Sequence, residues 1–283
     1  MLKYKKLMEL IDQQKQKKKQ HNVVHKFRKY DHKLDYTPSR NAKVILNIEN
    51  LVKTFNPKSK KKKHMVLKGI NLNIYDNDHI ALIGVNGAGK TTLIEILSGV
   101  IDQTSGDLHF GYNYAYSPFE KVGAQFQNSH YPHGLSVQDI INFMSATRRN
   151  ITLRPEEKNM LIKKFGIKDL LKHEANSLSG GQRQRLNILL ALIVAPKIIF
   201  LDELTTGLDV YSQKQILKCI KDYIKKHKVT SISVSHNILE IEELANRIIL
   251  LQDGNIKIDA DIKKVLKSYK SISEFVVNFL GKY

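Results

Sequence analysis

The segment GVNGAGKT, residues 84–91, has the glycine spacing of a loop that binds nucleotide phosphates. It lies between an apolar run, IALI, and a run with helical character, TTLIEILSG, so a strand and a helix would hold it. Glycines let backbone amides approach phosphate oxygens, and the helix N-terminus adds a positive dipole. The residues predicted to contact the nucleotide here are Gly84, Asn86, Gly87, Ala88, Gly89, Lys90, Thr91 and Thr92.

Three side chains in this loop have distinct predicted roles. Lys90 would place its charge against the β- and γ-phosphates, which makes it a candidate catalytic residue. Thr91 would give its hydroxyl to Mg²⁺, and Thr92 would add a phosphate contact. The expected substrate complex is therefore Mg-ATP.

Two adjacent carboxylates, Asp202 and Glu203, follow the apolar run IIFL. Ligands of α/β sheets bind at the carboxyl ends of strands, where this pair would lie. Asp202 is predicted to hold Mg²⁺, directly or through water, and Glu203 to polarise the water that attacks the γ-phosphate. An acidic turn can end any buried strand, so the pair has meaning chiefly because a phosphate-binding loop precedes it.

A second glycine-containing segment, LSGGQ at residues 178–182, precedes the apolar helical run QRLNILLALIVA. Ser179 is predicted to cap this helix, and Gly180 and Gly181 open the backbone at its start. Such a terminus can bind an anion. One nucleotide does not require two such cradles on one chain.

These motifs, with GLD at 207–209 and VSH at 234–236, resemble the ATP-binding subunits of ABC transporters in their order and spacing. The resemblance covers roughly residues 44–260. It implies an α/β, P-loop NTPase fold with a mostly parallel sheet, helices on both faces, an antiparallel β-subdomain and a helical insert. The alternating strand-like and helix-like runs of the second half independently favour such a sheet.

The resemblance also assigns roles to residues that the local pattern alone does not. Ser179, Gly180, Gly181 and Gln182 would complete the ATP site of a second ABC ATPase subunit, identical or similar, arranged head to tail. Asp209 matches the loop that reaches the dimer interface in that family. His236 matches the histidine that contacts the γ-phosphate, and counts with Glu203 and Lys90 as catalytic.

Two further assignments from the resemblance rest on less distinctive sequence. Gln127 is interpreted as the residue that contacts Mg²⁺ and signals to a partner; Gln125 competes, and Gln127 is preferred because it is taken to end the strand. Phe55 matches the aromatic residue that stacks on adenine, although a lysine-rich run follows it at 58–63. Leu204 stands where many relatives have proline, which removes no catalytic atom.

The predicted organisation has two parts. Residues 1–43 form a basic N-terminal extension, partly helical or disordered, whose deletion up to residue 40 should leave the chemistry of hydrolysis intact. Residues 44–283 form the ATPase domain, with a helical subdomain at about 128–176 and a short C-terminal tail at about 255–283. The net charge is +19, of which residues 1–64 carry +14, with 19 Lys and Arg against 5 Asp and Glu.

Charge and hydropathy limit the possible partners. The basic front end could contact an anionic membrane surface, nucleic acid or only water. No run of about 18 apolar residues could span a membrane, and the single Cys219 excludes an intrachain disulfide. These features favour a peripheral protein on the cytoplasmic face of the cell membrane.

The preferred functional hypothesis is the ATP-hydrolysing subunit of an ABC transporter that acts through a separate transmembrane permease subunit. The sequence DELTTGLD and the short C-terminal tail favour export over import. The alternatives are a soluble ABC ATPase acting on ribosomes or nucleic acid through the basic extension, and a cofactor-assembly ATPase. A single motif set and the lack of long coiled-coil segments make nucleic acid the less favoured partner.

Overall fold

The computed structural model describes residues 32–56, 64–126, 130–147 and 153–280. The strands in these ranges are β1 Val44–Phe55, β2 His64–Tyr75, β3 His79–Ile83, β4 Ser105–Phe110, β5 Val122–Gln125, β6 Ile198–Asp202, β7 Thr230–Val234, β8 Arg247–Gln252 and β9 Asn255–Asp261. The α-helices are α1 Lys90–Leu97, α2 Val137–Ala146, α3 Pro155–Lys164, α4 Gly180–Ile193, α5 Val210–His227, α6 Ile238–Leu244, α7 Ile262–Ser268 and α8 Ile272–Leu280.

The strands form two sheets. The larger sheet has the order β5-β6-β7-β3-β8-β9; its first five strands are parallel neighbours, and only β9 runs antiparallel, against β8. The smaller sheet, β2-β1-β4, is antiparallel throughout. The mostly parallel sheet and the separate antiparallel subdomain confirm the fold class predicted from the sequence.

The larger sheet is buried on both faces, which explains why its parallel strands are continuous apolar runs. On one face, Leu82, Phe200 and Val234 pack with α1 and the antiparallel sheet. On the other face, Leu201 packs among α2 to α5, and Ile83 packs among α6 to α8. Helices thus cover one face at two places, while α1 and the small sheet cover the other.

The insert between β5 and β6 is helical, as predicted. It contains α2, α3 and α4 with two short 3-10 turns, Lys168–Leu170 and Ala175–Ser177. The α2 helix begins with a capping box, in which Ser136 and Asp139 exchange side-chain to backbone hydrogen bonds. Buried residues of α2, α3 and α4 share one apolar core with β6 and α5.

The segment 32–43, predicted to belong to the N-terminal extension, packs against the domain formed by the two sheets. Leu34 is only 2% exposed and lies in the core formed with α6 to α8. Tyr36 donates its hydroxyl hydrogen to Asp78, and its ring lies 4.1 Å from the guanidinium carbon of Arg247. We therefore propose that the domain begins near residue 32.

Arg247 is the centre of this docking contact. Its Nη1 lies 2.7 Å from Asp78 Oδ2, and its Nε and Nη2 bind both carboxylate oxygens of Asp259. These contacts join β8, β9, the β2–β3 turn and the N-terminal segment. Loss of one of these partners would leave the buried guanidinium partly unpaired, and this would destabilise the fold strongly.

Several predicted features fall outside the described ranges: the part of the basic N-terminal extension before residue 32, the lysine run at 58–63, and Gln127. Among the residues that are described, no helix has the length and hydropathy needed to cross a bilayer.

Candidate functional site

A polar cavity of about 580 Å³ opens at the carboxyl ends of β3, β6 and β7. It brings together residues that are more than a hundred positions apart in the sequence, as expected for an α/β sheet. Its lining is His64, Val66, Asn86, Gly87, Gly89, Lys90, Thr91, Thr92, Asp202, Glu203, Val234 and His236. The predicted phosphate-binding loop, the two carboxylates and His236 thus share one site.

The loop between β3 and α1 depends on glycine at two positions for different reasons. A Cβ at Gly84 would lie 2.2 Å from the carbonyl oxygen of Leu251, so no larger residue fits there. Gly89 caps α1 with φ of 101°, in the left-handed region that favours glycine. The first turn of α1 therefore begins at Lys90 with its free amides at the cavity.

Lys90 is buried, at 7% exposure, although it carries a charge. Its ammonium donates to the carbonyl oxygens of Gly84, at 2.6 Å, and Val85, at 3.1 Å. Burial lowers the pKa of Lys90, while Asp202 and Glu203 oppose that shift. The loop therefore holds a cation in position to bind phosphate oxygens.

Asp202 ends β6 and is almost fully buried. Burial raises its pKa to about 6, with Glu203 adding to the shift and Lys90 opposing it. Its carboxylate and the Thr91 hydroxyl line the same cavity. Oxygen ligands from one carboxylate and one hydroxyl, completed by phosphates and water, are the set that Mg²⁺ prefers.

The fit to Mg²⁺ therefore rests on the chemistry of these two donors. Within the part of the chain that the structure describes, no cluster of three His, Cys, Asp or Glu side chains could hold a metal ion. Mg²⁺ sites in phosphate-transferring proteins commonly take only one or two protein ligands and fill the rest from substrate.

Glu203 has a strained backbone, with φ of 51°, which is uncommon for a residue with a side chain. Its N–H donates to Val234 on β7, at 3.0 Å. The Gln184 amide on α4 donates to the carbonyl oxygens of Glu203, at 3.2 Å, and Leu204, at 2.9 Å. The carboxylate itself accepts from the Thr206 hydroxyl at 3.3 Å. The turn that presents Glu203 is therefore held from two neighbouring elements.

His236 lies at the end of β7, exposed on the cavity. Partial burial and the charge of Lys90 lower its pKa, and Glu203 opposes them. A neutral imidazole at neutral pH can donate or accept one hydrogen bond at a γ-phosphate without a permanent charge.

The LSGGQ segment lies apart from this cavity. Ser179 and Gln182 form a capping box at the start of α4: the Ser179 hydroxyl accepts from Gln182 N, and Gln182 Oε1 accepts from Ser179 N at 2.9 Å. A Cβ added at Gly180 would meet nothing within 4 Å, so this glycine faces open space. The second predicted anion site is thus present as a capped helix terminus, away from the chain's own phosphate-binding loop.

Asp209 caps α5, with its carboxylate accepting from Ser212 N at 3.0 Å. Hydrogen bonding to the Ser212 side chain, together with that backbone bond, lowers the pKa of Asp209. The neighbouring Leu208 lies next to the glycines of α4, since a Cβ at Gly181 would be 3.2 Å from its Cδ2. The GLD and LSGGQ segments therefore form one continuous surface.

The predicted adenine contact remains a proposal. Phe55 lies at the end of β1, with Lys53 Nζ 5.1 Å from its ring centroid, and it is not among the cavity lining. Its partner across the β1–β2 pair, His64, does line the cavity, as does Val66. Sequence reasoning missed both residues; the antiparallel pairing with Phe55 is the pattern that could have indicated them.

Of the two candidates Gln125 and Gln127, the structure describes only Gln125; Gln127 is outside the described residues. Strand β5 ends at Gln125, so the strand-end argument used for Gln127 applies instead to Gln125. Gln125 is buried and its side chain is bonded to the backbone of Asp202. We retain Gln127 as a proposed Mg²⁺ contact and assign Gln125 a positioning role.

Comparison with known proteins identifies the family to which this chain is related. Residues 67–206 match the family model described as ABC transporter. The protein called putative hemin import ATP-binding protein HrtA from Staphylococcus epidermidis is 34% identical over 224 residues, which span 75% of this chain and 98% of that protein.

Solved structures agree with the sequence comparison. A dimeric bacterial ABC transporter cassette is 25% identical, with a TM-score of 0.67, over 77% of this chain and 98% of its own. A putative metal-chelate type ABC transporter, solved in an inward-facing conformation, is 26% identical, with a TM-score of 0.64, over 84% of this chain and 89% of its own.

Proposed function

This chain belongs to the ABC transporter family as one of its ATP-binding proteins, and we propose that it drives transport by a separate transmembrane permease subunit through hydrolysis of Mg-ATP. The observation that carries the proposal is the shared cavity of Lys90, Asp202, Glu203 and His236. These are a phosphate-binding cation, a metal-binding carboxylate, a carboxylate for the attacking water and a γ-phosphate contact.

In this proposal each side chain has a task in hydrolysis. Lys90 and the amides at the start of α1 bind the β- and γ-phosphates. Thr91 and Asp202 would hold Mg²⁺, which neutralises charge on the phosphates. Glu203 orients and polarises the attacking water, and His236 contacts the γ-phosphate so that the transition-state charge is stabilised.

We propose that two such subunits, identical or similar, act head to tail. The capped terminus at Ser179 and the adjacent Asp209 surface lie outside the chain's own cavity, which suits a role in completing a partner's ATP site. ATP would close the pair and hydrolysis would reopen it, with the movement passed to the permease through the helical insert and Gln127. The complex would lie at the cytoplasmic face of the membrane.

The proposed direction is export, because DELTTGLD resembles export-type subunits. The relative HrtA carries hemin import in its name, so hemin is the first compound to test, with flux measured in both directions. ATP-dependent accumulation inside inverted vesicles would support export, and ATP-dependent loss from them would contradict it.

The test of the function is capture of the Glu203→Gln chain from membranes in the presence of ATP. Blocking hydrolysis should trap the closed pair on its permease, so we expect a multi-span membrane protein in the eluate. The matched control is Glu242→Gln, an exposed glutamate of α6, which should retain hydrolysis and release its partner. Recovery of ribosomes or nucleic acid, lost as salt is raised, would contradict the transport proposal.

A further inference from the structure

Glu240 is a buried acid on α6, four residues after His236, and none of the nucleotide motifs includes it. It is only 1% exposed. Its Oε1 accepts two hydrogen bonds from one residue, Thr205: one from the backbone N–H at 2.9 Å and one from the hydroxyl. An acid that is nearly inaccessible to solvent costs free energy to bury unless its contacts compensate.

The residue that Glu240 holds is part of the turn that presents the catalytic carboxylate. Thr205 is the second residue after Glu203, whose left-handed backbone conformation is strained. Strained backbone persists only where its surroundings fix it. Val234 and Gln184 fix Glu203 and Leu204, and Glu240 fixes the next residue of the same turn.

Glu240 also connects this turn to the histidine side of the site. Asn237, directly after His236, caps α6 and donates from Nδ2 to the Thr205 hydroxyl at 3.0 Å. The Thr205 hydroxyl therefore accepts from Asn237 and donates to Glu240, both of which belong to the segment that follows β7. This two-sided contact joins the Glu203 turn to the segment that contains His236.

A second cavity, of about 390 Å³, lies between these groups. Its lining includes Glu203, Thr205, Thr206, Ser235, His236 and Glu240. The Glu240 Oε2 atom is buried and has no hydrogen bond of normal geometry among the described residues. Burial raises the pKa of Glu240, and the hydroxyls of Ser235 and Thr205 oppose the shift. Because Oε1 accepts both bonds from Thr205, a glutamine amide keeps the acceptor and is a close mimic of this side chain.

We propose that Glu240 is a positioning residue for ATP hydrolysis, which holds Thr205 and thereby sets the Glu203 carboxylate relative to His236. The inference rests on the proposed ATPase function and extends it to a residue outside the nucleotide-binding motifs. The acceptor oxygen of Glu240 is the essential feature. Phosphate binding at Lys90 should not depend on it, because the Lys90 ammonium is held by the carbonyl oxygens of Gly84 and Val85.

The test compares the full-length chain with its Glu240→Ala, Glu240→Gln and Glu242→Gln variants by ATPase kinetics and thermal unfolding. Glu240→Ala should lower kcat by roughly 10- to 100-fold with KM for ATP nearly unchanged, since a displacement of about 1 Å costs that much in rate. Glu240→Gln keeps the acceptor and should retain most of kcat. Glu242→Gln, on the same helix but exposed, should match the wild type.

The possible outcomes separate the two proposals. An active wild type whose kcat is unchanged in Glu240→Ala would overturn the positioning role alone, and so would equal losses in Glu240→Ala and Glu240→Gln. An inactive wild type would count against the ATPase function itself. If Glu240→Ala does not fold, Thr205→Val removes the hydroxyl contact at nearly constant volume, and it should lower kcat without changing KM.

Discussion

The side-chain amide of Gln125 and the backbone of Asp202 exchange two hydrogen bonds. Gln125 Nε2 donates to the Asp202 carbonyl, and Asp202 N donates to Gln125 Oε1, each at 3.1 Å. In the β5–β6 ladder, Gln125 is paired with Leu201. The side chain therefore continues the ladder by one residue, beyond the point where the β5 backbone ends, and fixes the residue expected to hold Mg²⁺.

Replacing Gln125 by alanine should destabilise the protein and impair metal use together. The change leaves the buried N–H and carbonyl of Asp202 unpaired, which should cost about 2–4 kcal/mol of unfolding free energy. Urea denaturation measures this cost, and the Mg²⁺ concentration for half-maximal ATPase activity should rise. Gln138→Ala, whose amide bonds Asn142 on the surface of α2, is the control and should cost less than about 0.5 kcal/mol. Equal stability of the two variants would contradict the ladder role.

The raised pKa of Asp202 predicts that Mg²⁺-dependent nucleotide binding weakens in mild acid. Below about pH 6 Asp202 binds a proton, which Mg²⁺ must displace. The apparent affinity for Mg²⁺ should therefore fall by up to about tenfold per pH unit below that value. Nucleotide affinity measured from pH 5 to 8, with Mg²⁺ and with a chelator, checks this. A Mg²⁺ effect that is the same at pH 5 and pH 8 would contradict it.

The raised pKa of Asp202 has the opposite effect on the stability of the protein without nucleotide: mild acid weakens Mg²⁺ binding but stabilises this folded state. Because the folded chain binds this proton more tightly than the unfolded chain, whose aspartate pKa is 3.8, the group favours folding as pH falls from about 6 towards 4. Mg-nucleotide should therefore stabilise the protein more at pH 8 than at pH 5. Thermal unfolding with and without Mg-nucleotide at both pH values measures that difference.

Two truncations distinguish the docked segment from the residues before it. Removing residues 1–31 should leave the unfolding free energy unchanged to within about 0.5 kcal/mol, because their composition predicts an extension outside the packed domain. Removing residues 1–40 also removes buried Leu34 and the Tyr36 contacts with Asp78 and Arg247, and should cost about 2–5 kcal/mol.

Both truncated chains should still hydrolyse ATP at a temperature where they are folded, because none of the described residues 32–40 lines the nucleotide cavity. Denaturation and ATPase assays on the same preparations make the comparison. Equal stability of the two truncations would contradict the docking role of residues 32–40.

A mixing experiment tests the head-to-tail arrangement. Lys90→Ala removes the phosphate-binding cation, and Ser179→Arg blocks the helix terminus proposed to serve the other chain. Each variant alone should be inactive, while a mixture should recover part of the activity, because a mixed pair has one site with both Lys90 and Ser179 intact. Wild-type protein at the same total concentration as the mixture provides the reference activity. No recovery on mixing, with pairing shown by sedimentation, would contradict sites shared between chains.

The local motifs were readable from the sequence because each is defined within a few residues. GVNGAGKT lies between β3 and α1, the carboxylates end β6, and Ser179 caps α4 with Gln182, all as the residue order predicts. Capping boxes, glycine turns and strand ends depend on near neighbours along the chain. The mostly parallel sheet followed from the same local order of strands and helices, while the antiparallel subdomain was implied by the resemblance to ABC transporter subunits.

Tertiary structure alone decided which distant side chains support those motifs. Gln125 and Asp202 are 77 positions apart, Tyr36 and Asp78 are 42 apart, and Thr205 and Glu240 are 35 apart. The register of β5 against β6 and the packing of α6 bring these groups within hydrogen-bond distance. No sequence period encodes such contacts, because they depend on how whole elements pack, and so the support of Glu203 by Glu240 became visible only in the folded chain.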